Sequence, residues 1–175
     1  IAHRMMDDII DLEIEKIDSI LDKINSDPEP DKIKIIEKEL WEKIKKMALD
    51  GRRTGLGITA EGDMLAALGY RYGTDEATDF AEYIHKTLKL KAYESSVIMA
   101  KERGAFPIYD SELEKNNPFI LRIKDEKPSL YDEMVKYGRR NISLLTIAPA
   151  GTTSMMTQTT SGIEPVFLPN YMRRR

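Results

Sequence analysis

The sequence contains no cysteine. This absence excludes disulfides, thiolate metal sites and any cysteine nucleophile or thiyl radical within the chain. Histidine is almost as scarce, because His3 and His85 are the two imidazoles, and they lie far apart without a supporting carboxylate motif. We therefore expect packed or surface histidines and no metal site.

Long apolar runs and an excess of positive charge are also missing. No stretch approaches the roughly 18 apolar residues that a membrane-spanning helix needs. The early aspartates Asp7, Asp8 and Asp11 interrupt the first apolar residues, which is unlike a signal peptide. With a net charge of −3, the three terminal arginines, residues 173–175, are weak evidence for nucleic-acid binding. We expect a cytoplasmic protein with neither a membrane nor a nucleic-acid partner.

The composition that remains is that of a globular protein. Apolar residues make up 41% of the chain and charged residues 33%, enough for one domain with a core. The chain begins at Ile1, inside a helical pattern and without an initiator methionine. We therefore expect a piece of a longer protein, with residues 1–175 forming a single partial domain.

Helical periodicity dominates the first fifty residues. Apolar side chains recur at spacings of three, four and seven on both sides of a polar, proline-marked break at residues 25–30. The apolar positions are Met6, Ile9, Ile10, Ile17, Ile20, Leu21 and Ile24, then Ile33, Ile36, Leu40, Ile44 and Met47. The pattern predicts a helical hairpin over residues 1–50.

Beyond residue 50 the sequence predicts a mixture of helices and a strand. Residues 52–59 are punctuated by glycine and fit either a buried strand or a tight turn. Helices are predicted over residues 61–68, from the cap Thr74 to Arg103, and from Pro128 to Gly138. The apolar run at residues 142–147 is typical of a central, fully buried strand. The predicted fold is helix-rich α/β, with a sheet that is either small or part of a larger one whose other strands lie outside this chain.

A candidate binding loop follows the predicted strand directly. Gly151 would let the backbone approach a ligand, and three hydroxyl side chains come next. Hydroxyls and free N–H groups at the start of a helix accept phosphate oxygens. The sequence thus predicts a substrate-phosphate loop, although an ordinary polar turn is the alternative. The predicted phosphate-binding residues are Pro149, Ala150, Gly151, Thr152, Thr153 and Ser154.

The residues around this loop resemble a known family. The sequence RNISLLTIAPAGTTS at 140–154 is followed by SGIEPVF at 161–167, then by Tyr171 and Arg173. RRTGLGITAEGDML at 52–65, LGYRY at 68–72 and ERGAFP at 102–107 supply further ordered matches, with a looser one at residues 6–11. Together these motifs resemble the large, catalytic subunit of ribonucleotide reductases.

The resemblance implies a ten-stranded α/β barrel of which residues 51–175 form part. It implies reduction of ribonucleoside di- or triphosphates to deoxyribonucleotides for DNA synthesis by a thiyl radical. The implied partners are the ribonucleotide substrate, the remainder of the reductase chain and a thioredoxin-like reductant. The radical cysteine and the residues around it have no counterpart here, so we assign no catalytic residue and expect the piece to be inactive alone. Glu164 is expected to have a structural role.

The class of reductase is a finer expectation. The Ala-Pro-x-Gly-Thr form looks most like the adenosylcobalamin-dependent class, although Ala150 replaces the threonine usual after the proline. Adenosylcobalamin is therefore expected in the full-length protein and no cofactor on this piece. The alternatives are a diiron-partnered reductase subunit and a non-catalytic helical interaction module. Strand edges left open by the missing part of the sheet could also drive self-association.

Overall fold

A computed structural model describes residues 1–166, 168, 170 and 172 of the chain. These residues form eight helices. The helices are α1 (Ala2–Ser26), α2 (Asp31–Gly51), α3 (Glu61–Ala67), α4 (Asp75–Arg103), α5 (Ser111–Glu114), α6 (Pro118–Glu126), α7 (Pro128–Tyr137) and α8 (Gly151–Thr157). In this described part of the chain, no helix is long and apolar enough to cross a bilayer.

Helices α1 and α2 lie on either side of the predicted break and contact each other. In α1 the buried residues Ile10, Ile17 and Ile24 are spaced by seven, so they form one stripe along the helix. Apolar side chains of α2, such as Ile36 and Leu40, remain exposed. Packing of α1 therefore follows its periodicity more closely than packing of α2 does.

The ends of α4 and α7 match their sequence signals. The Thr74 hydroxyl accepts a hydrogen bond from the Ala77 N–H at 3.4 Å, at the start of α4. Gly104 and Gly138 follow α4 and α7 with φ values of +86° and +73°, which a side chain would disfavour. The three helices predicted between residues 61 and 138 are confirmed.

The predicted α/β fold is wrong for the described residues, because no strand and no barrel are present among them. Residues 142–147 contribute one isolated parallel bridge, between Leu56 and Leu145. Leu144 is buried, but Ile147 is 58% exposed, so the run is not a fully buried strand. A strand needs a continuous ladder on a neighbour, and these backbone groups bond to irregular segments instead. With no such ladder described, strand edges no longer support self-association, which stays untested.

The chain divides into two compact units. The first comprises Ile1–Thr54 and Leu90–Leu144, and the second Gly55–Lys89 and Leu145–Arg175. In the first unit Arg139 is buried, forms an ion pair with Glu114 and lies 5.3–5.8 Å from the centres of three aromatic rings. These rings belong to Tyr93, Phe106 and Tyr109. In the second unit Leu65 and Ala77 are buried, and Tyr70 stacks on Phe80.

Candidate functional site

The six predicted phosphate-binding residues lie together at the start of α8. Pro149 is exposed in the preceding loop, and Ala150 is the N-cap residue of α8. Gly151, Thr152 and Thr153 begin the helix and are exposed, whereas Ser154 is buried. The structure therefore places five of the six residues where a ligand could reach them.

The first turn of α8 is open. A Cβ added at Gly151 would meet no atom within 4 Å, and no side chain caps the helix at Ala150. The first N–H groups of any helix have no carbonyl partner within that helix. Here they lie beside two exposed threonine hydroxyls, so the turn offers several hydrogen-bond donors to an anion.

Ser154 serves the turn itself. Its hydroxyl donates to the Gly151 carbonyl oxygen at 2.9 Å, and its N–H donates to the Ala150 carbonyl oxygen at 2.8 Å. Both bonds close the first turn of α8. Ser154 is thus placed to stabilise the loop itself. The sequence did not distinguish this role from ligand binding.

Residues 55–57 pack against the chain just before the loop. The Thr146 N–H donates to the Leu56 carbonyl oxygen at 3.0 Å, next to the Leu56–Leu145 bridge. Gly57 lies so close to the Thr146 carbonyl that any side chain there would collide with it. The glycine-punctuated motif at residues 52–59 thus includes a site of close backbone approach.

Residues 160–162, which we call the return segment, connect the loop region to the N-terminus of α3. The Thr160 N–H donates to Asp63 Oδ2 at 2.7 Å, and the Thr59 hydroxyl donates to the Thr160 carbonyl oxygen at 2.7 Å. The Ala60 N–H donates to the Gly162 carbonyl oxygen at 2.9 Å. Three bonds therefore join the return segment to residues 59–63.

The return segment also holds the start of α8. The Ala150 N–H donates to the Ser161 carbonyl oxygen at 2.7 Å. The return segment thereby connects, through hydrogen bonds, the motifs at residues 52–65 and 140–154. Both motifs carry the family resemblance, and they lie almost 100 residues apart in the sequence. No sequence pattern predicts this connection, because the residues that form it follow no regular spacing.

A glycine allows the residues after the return segment to pack on α3. A Cβ at Gly62 would lie 2.6 Å from the backbone of Pro165, closer than real contacts allow. Glu164 is exposed, and its carboxylate lies beside Gly162. The tight approach explains a glycine in the first turn of α3, where glycine otherwise weakens a helix.

A carboxylate and an imidazole meet in the same unit. Glu61, at the start of α3, is 6% exposed, and its Oε2 lies 2.7 Å from Nε2 of His85 on α4. This pair connects α3 and α4. The two residues are 24 positions apart on different helices, so no local sequence pattern predicts the pair.

A buried charge cluster lies in the other unit, around Asp7 on α1. Asp7 is fully buried and accepts hydrogen bonds from Arg52 at 2.9 Å and Asn141 at 3.0 Å. Arg140 and Arg103 add contacts at 3.2 and 3.4 Å. Burial alone would raise the pKa of Asp7, but the bonds and charges of Arg52 and Arg140 outweigh it and lower that pKa.

The neighbouring carboxylates do not make this cluster a metal site. Asp7, Asp8 and Asp11 bring oxygens close together. Arg103 pairs with Asp8 at 2.6 Å, and Arg52 pairs with Asp11 at 2.8 Å. Since arginines already neutralise these groups, we interpret the cluster as structural.

Comparison with known proteins identifies the family. Residues 4–175 match the family model described as ribonucleotide reductase, barrel domain. The chain therefore belongs to the ribonucleotide reductase family. The barrel of that description is not visible in the part of the chain that the structure describes.

Individual relatives carry more specific names. The chain is 33% identical over 70% of its length to a vitamin B12-dependent ribonucleoside-diphosphate reductase of Mycobacterium tuberculosis. It is 34% identical over 75% of its length to an enzyme of the same name from Thermoplasma acidophilum. A ribonucleoside-diphosphate reductase subunit alpha of Treponema pallidum is 27% identical over 71% of the chain. In each case the match spans 15% of the relative's length.

Part of the family resemblance cannot be placed. Phe167, Tyr171 and Arg173 of the C-terminal motif lie outside the described residues, as do Arg174 and Arg175. The candidate site consists of the start of α8, the return segment that bonds to it and residues 59–63, which bond to the return segment.

Proposed function

We propose that this chain is part of an adenosylcobalamin-dependent ribonucleotide reductase, an enzyme that makes deoxyribonucleotides from ribonucleoside di- or triphosphates. Family membership and the names of the Mycobacterium and Thermoplasma relatives, each above 30% identity, support the proposal. The whole protein would need its remaining residues, a ribonucleotide and a thioredoxin-like reductant.

Within that enzyme, this piece binds the substrate phosphates through residues 149–154. The observation that carries the assignment is the open first turn of α8. There, Gly151 leaves space for a ligand and the exposed Thr152 and Thr153 follow at once. Hydrogen bonds from N–H and hydroxyl donors to a phosphate are charge-assisted and therefore strong. Because α8 has seven residues, local donors matter here more than a long helix dipole.

The piece alone carries out no reduction, because a thiyl radical requires a sulfur and the chain has no cysteine. Adenosylcobalamin would supply the radical chemistry in the whole protein. His3 is 3% exposed, which closes its imidazole to a large cofactor, and Nε2 of the half-buried His85 is already bonded to Glu61. We therefore assign none of the described residues to the cofactor.

The phosphate assignment is tested in the whole protein with Gly151→Val and Thr152→Val. Valine at position 151 fills the space that a phosphate would occupy, and valine at position 152 removes one donor. Loss of a charge-assisted hydrogen bond should weaken nucleotide binding by about 1.5–3 kcal/mol. Binding is measured by equilibrium titration with the ribonucleotide, and folding by thermal denaturation.

Thr157→Val is the matched control, since Thr157 is the last residue of α8, outside residues 149–154, and its hydroxyl bonds to the Thr153 carbonyl and the Thr159 hydroxyl. We expect this variant to bind normally. Folded Gly151→Val and Thr152→Val proteins with unchanged affinity would refute the phosphate loop and favour a polar turn.

A diiron-partnered reductase is the second candidate, because the Treponema relative is named a subunit alpha. The two candidates differ in what the whole protein needs for turnover. Activity with adenosylcobalamin and reductant alone supports the proposal. Activity that requires a separate protein subunit and ignores adenosylcobalamin supports the alternative.

A further inference from the structure

We propose that Asp63, assisted by Thr59, is a positioning residue that fixes the phosphate loop from outside it. This inference rests on the proposed function of residues 149–154. The hydrogen bonds described for the two side chains go to Thr160 and not to that loop. Each acts through the return segment, which lies between residues 59–63 and the N-cap of α8.

First, two side chains form hydrogen bonds with the backbone of Thr160. Its N–H donates to the Asp63 carboxylate and its carbonyl accepts from the Thr59 hydroxyl, both at 2.7 Å. An N–H bond to an ionised carboxylate is shorter and stronger than a neutral one. Both polar groups of one residue's backbone are therefore fixed by side chains of a single short segment.

Second, the residue after Thr160 is hydrogen-bonded to the start of the loop. The next carbonyl along the chain, that of Ser161, accepts the Ala150 N–H at 2.7 Å. Thr160 and Ser161 are consecutive, with only the two backbone dihedrals of Ser161 between their carbonyls, so displacement of Thr160 should also displace the carbonyl of Ser161. Ala150 is the N-cap of α8, and its own carbonyl accepts the Ser154 N–H. The Asp63 contact and the bond at the helix start thus lie on adjacent residues of the return segment.

The third step explains why Asp63 faces the return segment. An acidic residue at the third helical position commonly bonds back to the N-cap N–H of its own helix. In α3 that N–H, of Ala60, donates to the Gly162 carbonyl instead. The Asp63 carboxylate is thereby available to Thr160. The N-terminus of α3 and the return segment therefore satisfy each other's backbone groups.

The test uses the whole protein with Asp63→Ala, Asp63→Asn and Thr59→Val. Misplaced binding groups weaken substrate binding steeply, so we expect Asp63→Ala to raise KM for the ribonucleotide about tenfold, with kcat nearly unchanged. Asp63→Asn keeps an oxygen acceptor at the same place and should restore most of the affinity. Amide hydrogen exchange in peptides covering residues 148–157 should quicken in Asp63→Ala and Thr59→Val.

Matched controls come from the same unit. Asp79→Ala removes an exposed aspartate from α4, and Thr78→Val removes a hydroxyl that bonds within that helix. Both should leave KM and loop exchange unchanged. Thr59→Val removes one neutral bond and keeps the test available if Asp63→Ala does not fold.

The outcomes separate this inference from the proposed function. If Gly151→Val raises KM while Asp63→Ala and Thr59→Val do not, the positioning role is refuted and the phosphate loop stands. If Gly151→Val leaves KM unchanged as well, the proposed function fails and the inference fails with it. An equal effect of Asp79→Ala would also overturn the positioning role, since the change would then be nonspecific.

Discussion

Asp7 is a fully buried carboxylate whose charge is compensated from several directions. Arg52, Arg140 and Asn141 all donate to it, and Asn141 also bonds to the Arg52 carbonyl and to Ser96. Buried ion pairs add little net stability when intact, but removing one partner leaves uncompensated charge. The cluster joins residues from both ends of the first unit's sequence, which no local pattern could have predicted.

Asp7→Asn should therefore destabilise the first unit strongly. The amide keeps the size of the side chain but leaves buried arginines without their counter-charge, at a cost of roughly 3–5 kcal/mol. The single tryptophan, Trp41, lies on α2, so its fluorescence during urea unfolding reports on this unit.

Asp8→Asn is the control for that substitution. Asp8 is the adjacent aspartate, its side chain is 51% exposed and it pairs with Arg103, so its loss should cost less than about 1 kcal/mol. Equal shifts in the two variants would show that burial of Asp7 does not determine its contribution.

At the scale of elements, helices were predictable where periodicity and end signals agreed. Thr74, Gly104 and Gly138 marked real helix ends. The short helices α5 and α6 were not predicted, although Asp110 and Asn117 cap them. Asn117 precedes a proline, a combination typical of a helix start, so that signal was available.

The apolar run at residues 142–147 shows where local patterns fail. An apolar run of that length fits a strand, but strand formation depends on partners elsewhere in the chain. The loop after the run, residues 149–154, could be predicted as a set because its glycine and its hydroxyl residues are consecutive in the sequence. The contacts that residues 55–63 make with this region could not be predicted, because they are hydrogen bonds between residues about 100 positions apart in the sequence.

Gly62→Ala tests the close approach between α3 and the residues after the return segment. The added Cβ would lie 2.6 Å from the Pro165 backbone, which cannot move like a flexible side chain. Overpacking of this kind should destabilise the second unit by about 1–3 kcal/mol, despite the better helix propensity of alanine. Stability is measured by urea unfolding followed by amide hydrogen exchange in peptides of residues 58–68.

Gly151→Ala is the matched control for this substitution. Position 151 also lies in the first turn of a helix, and its Cβ would meet no atom within 4 Å. Without a collision, alanine should be neutral or stabilise by about 0.4–1 kcal/mol. A Gly62→Ala protein as stable as Gly151→Ala would contradict the close packing.

The stability of the whole molecule should depend on pH through two buried side chains, one basic and one acidic. Burial is the main cause that lowers the pKa of His3, which is 3% exposed and bonds to Thr54. The pKa of Asp7 is also lowered, because its arginine partners outweigh burial. Both groups therefore bind protons more readily in the unfolded chain than in the folded one.

The sign of the effect is the same for both groups. A lowered folded pKa contributes stability above the unfolded value, and that contribution is lost as the pH falls through the folded value. For His3 the loss begins below about pH 6.5, and for Asp7 below about pH 3.9, the ordinary values of the two side chains. We expect the free energy of unfolding to decrease in two steps as the solution is acidified.

The first step is assigned with His3→Gln, which removes the titrating imidazole while keeping a polar side chain near Thr54. Urea unfolding monitored by Trp41 fluorescence between pH 7 and pH 4.5 should show a smaller loss of stability in this variant than in the wild type. His85→Gln is the control, because His85 lies in the other unit and its side chain is 33% exposed. An unchanged acid slope in His3→Gln would show that a group other than His3 causes the first step.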